Sequence, residues 1–232
     1  MRYFAFLLST LLTTWSLTLP VAAQETPLKV VQKLQAALIT SASNPIFSER
    51  LEALSPTIEQ THDFSSIARL VTGRYWRKFD EQQRTEFIDT FTRLSVMTYA
   101  DRFKNLGVSE FTYLETLEQP RNSKKVVSTM VLDSNANFAE LSNQKELSFE
   151  YILRSTTAES TSNLTEKTDE SADNGWQIIN VVVDGISDLA LKRSNYVSIL
   201  NESGFDALIE ELNQKITDVQ KKTNQGKPKL DI

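Results

Sequence analysis

One change of hydrophobic period, at Gly107, restricts what this chain can fold into. Upstream, Phe87, Phe91, Leu94 and Thr98, then Tyr99, Phe103 and Leu106, recur at helical spacing, and Gly107 ends the run. Downstream the period is two. Phe111, Tyr113 and Leu117 alternate with polar residues in a first strand, and Val126 to Leu132 forms a second with apolar residues on both faces. Leu147, Phe149, Tyr151 and Leu153 line one face of a third strand, opposed by Glu146, Ser148 and Glu150. Trp176 to Val183 is a fourth, apolar on both faces apart from Gln177 and Asn180. Strands that follow one another without long intervening helices pair antiparallel. The fold class is therefore α+β, with helices packed on one face of a curved antiparallel sheet of about four strands, in a single domain over residues 24–220.

Punctuation residues place the helices. Thr26 followed by Pro27 reads as N-cap and first helical position of a helix reaching about Thr40. Asn44-Pro45 repeats the signal for a second helix with Ile46, Phe47, Leu51 and Leu54 on its apolar face, which Ser55-Pro56 interrupts or bends. Asp63 caps a short helix that Gly73 stops, and Asp80 with Gln83 forms a capping-box pattern at the head of the longest helix. Beyond Asp184-Gly185, Leu189, Tyr196, Val197 and Leu200 define one helix, and Phe205, Leu208, Ile209, Leu212 and Ile216 another. Residues 155–175, rich in Ser, Thr, Asp, Glu and Asn, read as a solvated, mobile hairpin extension, and 221–232 as a disordered polar tail.

The first 23 residues read as a cleaved signal peptide. Arg2 supplies a positive n-region, Tyr3 to Leu19 is mostly apolar, and Val21-Ala22-Ala23 offers a small-residue cleavage site. An uncleaved anchor helix is the competing reading, but the apolar run is short for a bilayer span. A periplasmic location follows from export in a bacterium. With no cysteine in the sequence, stability rests on a packed core rather than on disulfides. A net charge of −5 without a basic run argues against nucleic acid as a partner.

Chemistry is hard to find. The sole histidine, His62, has no metal-ligand or acid-base partner at a telling spacing, and reads as a surface or capping neighbour of Asp63. Six scattered glycines make no phosphate loop. Glu81, Glu86 and Asp89 read as a solvated face. Catalytic residues, metal ligands and cofactors are all expected to be absent. The aromatic residues remain: they either fill the wedge between helices and sheet or line an open pocket there.

Several segments resemble the MlaC family of periplasmic lipid-binding proteins, also called toluene-tolerance auxiliary proteins. They are LVTGRYWRKFDEQQRTEFIDTF, Gly175-Trp176 leading into VVVDGIS, and the final GFDALI, and the resemblance covers roughly Thr26 to Ile216. MTYADRF and SDLALKRSNYVSIL resemble the HpnM branch, associated with hopanoid lipids. The resemblance implies a cone-like fold of the NTF2 type, with a deep apolar cavity. It also implies a shuttle carrying phospholipid between an outer-membrane lipoprotein complex and an inner-membrane ABC-transporter complex with an MCE-type subunit, maintaining outer-membrane lipid asymmetry. The chain departs from the family at 155–175, where the family's hairpin is usually short.

Under that resemblance, the lipid-lining candidates are Phe91, Leu94, Tyr99 and Phe103 on the long helix, Met130, Phe149, Tyr151 and Val182 on the strands, and Tyr196 on the C-terminal helix. Covering an acyl chain of ~16 carbons is worth on the order of 10 kcal/mol, which is why such a chain crosses water only inside a carrier. Phospholipid and hopanoid both satisfy this reading. A small-molecule enzyme on the same fold, or an interaction protein whose own side chains fill the wedge, are the alternatives.

Overall fold

Thr26 opens the first helix as expected: its hydroxyl accepts from Lys29 N at 3.3 Å, and Pro27 takes the first helical position, where no N–H is missed. The computed structural model describes residues 25–104, 110–131, 146–156 and 175–225. In it α1 spans Pro27–Ala42, α2 Phe47–Thr61, α3 Phe64–Thr72 and α4 Glu81–Arg102, with a 3-10 segment, Gly73–Lys78, ahead of α4. Strands β1 (Phe111–Gln119), β2 (Ser123–Val131), β3 (Glu146–Ser155), β4 (Trp176–Val183) and β5 (Ile186–Ser187) follow, then α5 (Asp188–Glu202) and α6 (Gly204–Gln225). The segment expected to be a signal peptide, most of the 155–175 extension and residues 226–232 lie outside the described residues.

The sheet is antiparallel in the order β1-β2-β3-β4-β5, so there are five strands where about four were expected. The extra strand comes from Asp184-Gly185, both at positive φ (49° and 78°), the geometry of a two-residue hairpin turn. Instead of feeding directly into a helix, the chain folds back for two residues, pairing Val183 with Ile186 and Val182 with Ser187. Asp184 also clamps β3, accepting from Ser148 N at 2.8 Å and donating its own N–H to Ser148 O at 3.0 Å.

Leu147, Phe149, Tyr151 and Leu153 are buried while their strand neighbours are not, so the alternation on β3 has the expected phase. They face the helices. Gln35 of α1 donates to Ser128 Oγ at 2.8 Å, fixing that helix over β2. The central helix is α4, which packs against α2, α3 and α6 and buries Phe87, Phe91, Leu94, Val96, Met97 and Ala100 around most of its circumference. Its capping box is complete: Asp80 accepts from Gln83 N at 2.8 Å, and Gln83 returns the bond at 3.2 Å.

Four expectations need correction. Pro56 does not interrupt α2, which runs on to Thr61; it sits on the solvent face, and the carbonyl it leaves unpaired belongs to exposed Glu52. Helix α4 ends at Arg102 rather than Gly107, because buried Arg50 takes up one of its last carbonyls, donating from Nε to Ala100 O at 3.0 Å. Helix α6 runs to Gln225, past the expected start of the tail at 221. Lys222 anchors it to Asp101 at 2.9 Å, and although burial alone would push the Asp101 carboxyl up, bonds to Lys104 and Lys222 hold it below its ordinary value.

The fourth correction concerns His62, which is 5% exposed rather than on the surface. It ends α2 and bridges to Ile178 of β4, while Asp63 N donates to Ile178 O at 3.0 Å and caps α3 through Ser66 N. Nδ1 lies 3.0 Å from Ile58 O, which can only accept, so Nδ1 carries the proton and Nε2 accepts from the Tyr99 hydroxyl at 3.0 Å. Burial pulls the His62 pKa from 6.5 to about 4, against the opposing bond to Ile58.

Two measurements test these supports. Between pH 6.5 and about 4 the unfolded chain binds a proton that folded His62 refuses, so stability is full above 6.5 and falls as pH drops through that window. The loss is up to roughly 3 kcal/mol. Denaturant titrations across this range should show a shallower slope for His62→Gln than for the parent chain; parallel curves would remove His62 as the source. Asp80→Ala should lower stability by roughly 1 kcal/mol by uncapping α4, read as a shift in the denaturation midpoint, and an unchanged midpoint would contradict the cap.

Candidate functional site

A stripe along α4 builds one wall of an internal cavity. Phe91, Ser95, Thr98 and Arg102 follow at steps of four, three and four, with Tyr99 and Phe103 beside them, so they share one helix face. Opposite stand Phe149 and Tyr151 of β3 and Ile178, Ile179, Asn180, Val181 and Val183 of β4. Phe64 and Ile67 of α3 close one end together with His62, and Asp188, Leu189 and Lys192 of α5 form the rim. The cavity, partly open to solvent, holds about 110 Å³, several times what one water requires. The wedge between helices and sheet is therefore not filled by its own side chains.

Aromatic packing stiffens the walls. Phe64 meets Phe91 edge-on at 6.0 Å and stacks on His62 at 5.6 Å; Tyr99 stacks on Phe103 at 5.7 Å, and Phe149 on Tyr151 at 6.2 Å. Desolvation pushes the Tyr99 and Tyr151 hydroxyls above their ordinary pKa, and both stay neutral donors. The rim is set by Asn180, whose Oδ1 accepts from Ser187 Oγ at 3.2 Å and Leu189 N at 3.1 Å, pinning the start of α5 to β4. One turn on, Lys192 pairs with Asp188, and its ammonium lies 5.9 Å from the centre of the Phe91 ring. Ionic groups are thus confined to the edge of an apolar chamber.

Five of the nine sequence candidates line this cavity: Phe91, Tyr99, Phe103, Phe149 and Tyr151. The other four lie elsewhere. Leu94 belongs to the packed core, and Met130 is buried between Phe111 and Leu147 in register on β2. Tyr196 sits behind the α4 wall, edge-on to Phe87 and Phe91. Val182 is registered with Glu150, opposite in phase to Phe149 and Tyr151, so it points to the outer face while Val181 and Val183 point inward.

Sequence reasoning missed the α3 and α5 contributors and the polar members of the α4 stripe. The heptad-like spacing from Phe91 to Arg102 was the signal available for Ser95, Thr98 and Arg102. No signal marked His62, which reaches the cavity only through the tertiary bridge to Ile178. Among the described residues no group of three or more His, Cys, Asp or Glu is placed to hold a metal ion, and no helix is long and apolar enough to cross a membrane.

A family model described as "MlaC protein" matches residues 28–159 and 164–214. Among solved structures, the phospholipid-binding protein from Ralstonia solanacearum in complex with a phospholipid shares the fold. Its TM-score is 0.64 at 15% identity, covering 84% of this chain and 99% of that one. No curated protein matches. The family pattern runs through the α4 wall, the strands and the α5 rim alike, and the chain belongs to the MlaC family.

Proposed function

We propose that this chain is a lipid-binding carrier that takes acyl chains into the cavity between α4 and β3–β4 and ferries them across an aqueous compartment. The observation that carries this reading is the partition of the cavity: aromatic and aliphatic walls inside, ionic groups at the rim. Such a chamber offers an acyl chain about 0.8 kcal/mol per buried methylene and leaves the polar end in contact with water. A two-chain lipid exceeds the 110 Å³ of the cavity, so loading requires wall side chains to change rotamer or α5 to move outward. The phospholipid bound to the Ralstonia solanacearum protein of the same fold supports a phospholipid ligand.

Family membership and the signal-like N-terminus support a periplasmic shuttle between an outer-membrane lipoprotein complex and an inner-membrane ABC-transporter complex with an MCE-type subunit, serving outer-membrane lipid asymmetry. Hopanoid transport is the second reading, resting on MTYADRF and SDLALKRSNYVSIL. An enzyme is disfavoured by His62 itself, the one imidazole present: both ring nitrogens are committed, to Ile58 O and to Tyr99.

Protein made with its N-terminal segment, purified without detergent and extracted for mass spectrometry, should carry stoichiometric phospholipid. Recovered hopanoid would select the second reading, and folded protein that is empty and extracts nothing from vesicles would end both. Facing supplies the sharper control. Val181→Asp places a carboxylate in the chamber and should cut retained lipid at least tenfold, whereas Val182→Asp, on the outer face, should retain lipid at the parent level. Equal loss in both variants would show that the cavity as drawn is not the lipid site.

A further inference from the structure

The polar atoms bordering the chamber divide into those already committed and those that are not. Tyr99 donates its hydrogen bond to His62 Nε2 at 3.0 Å, and Thr98 Oγ1 donates back to Leu94 O at 2.7 Å. Asn180 Oδ1 accepts twice, from Ser187 Oγ and Leu189 N. Tyr151 is different. It is 2% exposed and faces the cavity, yet its hydroxyl has one polar neighbour among the described residues, Gln35 Nε2 at 3.5 Å. An amide nitrogen can only donate, and this one lies closer to Ser128 Oγ, at 2.8 Å, so the Tyr151 O–H is left without an acceptor. Turning the Gln35 amide over would not supply one, because 3.5 Å is well beyond the O–H···O range. Two further donors border the same space. Ser95, on the α4 wall, makes no side-chain hydrogen bond among the described residues, where Thr98 bonds back to its own helix. Asn180 Nδ2 likewise has none, and Asn180 adjoins Val181, the strand partner of Tyr151.

A buried hydroxyl without an acceptor is an incomplete arrangement, and what completes it is an oxygen that accepts. Resting on the lipid-carrier reading, we propose that Tyr151, with Ser95 and Asn180 bordering the same space, donates to an ester carbonyl of the bound lipid, so that the chamber selects ester-linked chains over ether-linked ones. A carbonyl oxygen projects from the chain and offers two lone pairs, whereas an ether oxygen lies within the chain and accepts weakly. Ester groups stand where acyl chains join the polar end, which agrees with the place of Tyr151 beside Asn180, the residue that sets the rim. The apolar walls accept any chain alike. A site built to bond an oxygen discriminates more sharply, because a ligand lacking it leaves the buried hydroxyl unpaired.

The test is a competition between two lipids that differ only in this group. Vesicles holding equal amounts of dioleoyl phosphatidylglycerol and its dioleyl ether counterpart are offered to delipidated full-length protein, and the lipid on the re-isolated protein is measured by mass spectrometry. The parent chain should retain the ester in about fivefold excess, the worth of one hydrogen bond. Tyr151→Phe removes a single oxygen and keeps the ring; it should bring the ratio to about one while total lipid stays near the parent level. Ser95→Ala should lower the ratio by a smaller factor. Tyr196→Phe, a buried tyrosine behind the α4 wall, should keep the parent ratio. Parent protein that retains both lipids equally would overturn the proposal and leave the carrier intact, with a trapped water as the partner of Tyr151. A preference that survives in Tyr151→Phe would overturn it as well. Parent protein that takes up neither lipid would remove the carrier reading and this proposal with it.

Discussion

The helical layer is bonded to the sheet at one corner, and the cavity depends on that corner. Asp63 N donates to Ile178 O at 3.0 Å, His62 bridges to the same residue, and the His62 Nε2 accepts a hydrogen bond from the Tyr99 hydroxyl at 3.0 Å. Three helices and one strand meet there: the end of α2, the start of α3, the middle of β4 and the cavity face of α4. Apolar contacts alone are non-directional and would let the helices settle onto the sheet until the wedge closed. Hydrogen bonds between fixed backbone and ring positions set a distance instead. The aromatic rings on either side then act as spacers, since Phe64, Phe91, Tyr99 and Phe149 cannot shrink to fill the space they border.

An unfilled cavity has an energetic consequence. At about 24 cal/mol per Å³, the 110 Å³ chamber costs the empty fold at most roughly 3 kcal/mol relative to a packed interior, less where its mouth is open to water. That is a sizeable part of a typical domain's stability. The remaining core must offset it, and it is extensive: Val30, Val31, Leu34 and Leu38 of α1, Leu54 and Ile58 of α2, and Leu208 and Leu212 of α6 are all at most 1% exposed. These residues lie away from the cavity wall. The fold thus separates a packed region that holds it together from an open region that serves the ligand.

Much of the architecture was legible in the sequence where local rules act without competition. Thr26, Asp63 and Asp80 cap the helices they precede, Gly73 stops α3, and Trp176–Val183 has the bounds expected of it. The cavity residues were legible on β3, where one strict period holds, and only in part along α4, where Leu94 falls in the core and Ser95, Thr98 and Arg102 were missed. They were not legible on β4. That strand is apolar on both faces, and a bulge pairs Leu153 with Ile178 but Ile152 with Asn180, shifting the phase of everything beyond it. Val182 was assigned inward for want of that bulge. His62 was misplaced for a different reason: its neighbours in sequence describe a helix boundary, and only the chain's return at Ile178 encloses it.

The same bulge explains how one short strand serves both the lining and the rim. Without it, strict alternation from Ile178 would carry Asn180 and Val182 inward and Val181 and Val183 outward. With the extra residue at Ile179, Val181 and Val183 complete the apolar wall opposite Tyr99 and Phe103. Asn180 falls at the irregularity, where its carbonyl oxygen is free to accept from Ser187 Oγ and Leu189 N. The Asp184-Gly185 turn returns the chain within four residues, so the start of α5 lies beside Asn180 and its first turns carry Asp188 and Lys192 to the cavity edge. One inserted residue in β4 and one tight turn after it therefore set both the apolar wall and the charged edge. Asn180 within the apolar stretch Ile178 to Val183, followed by Asp184-Gly185, is the local pattern that produces this division.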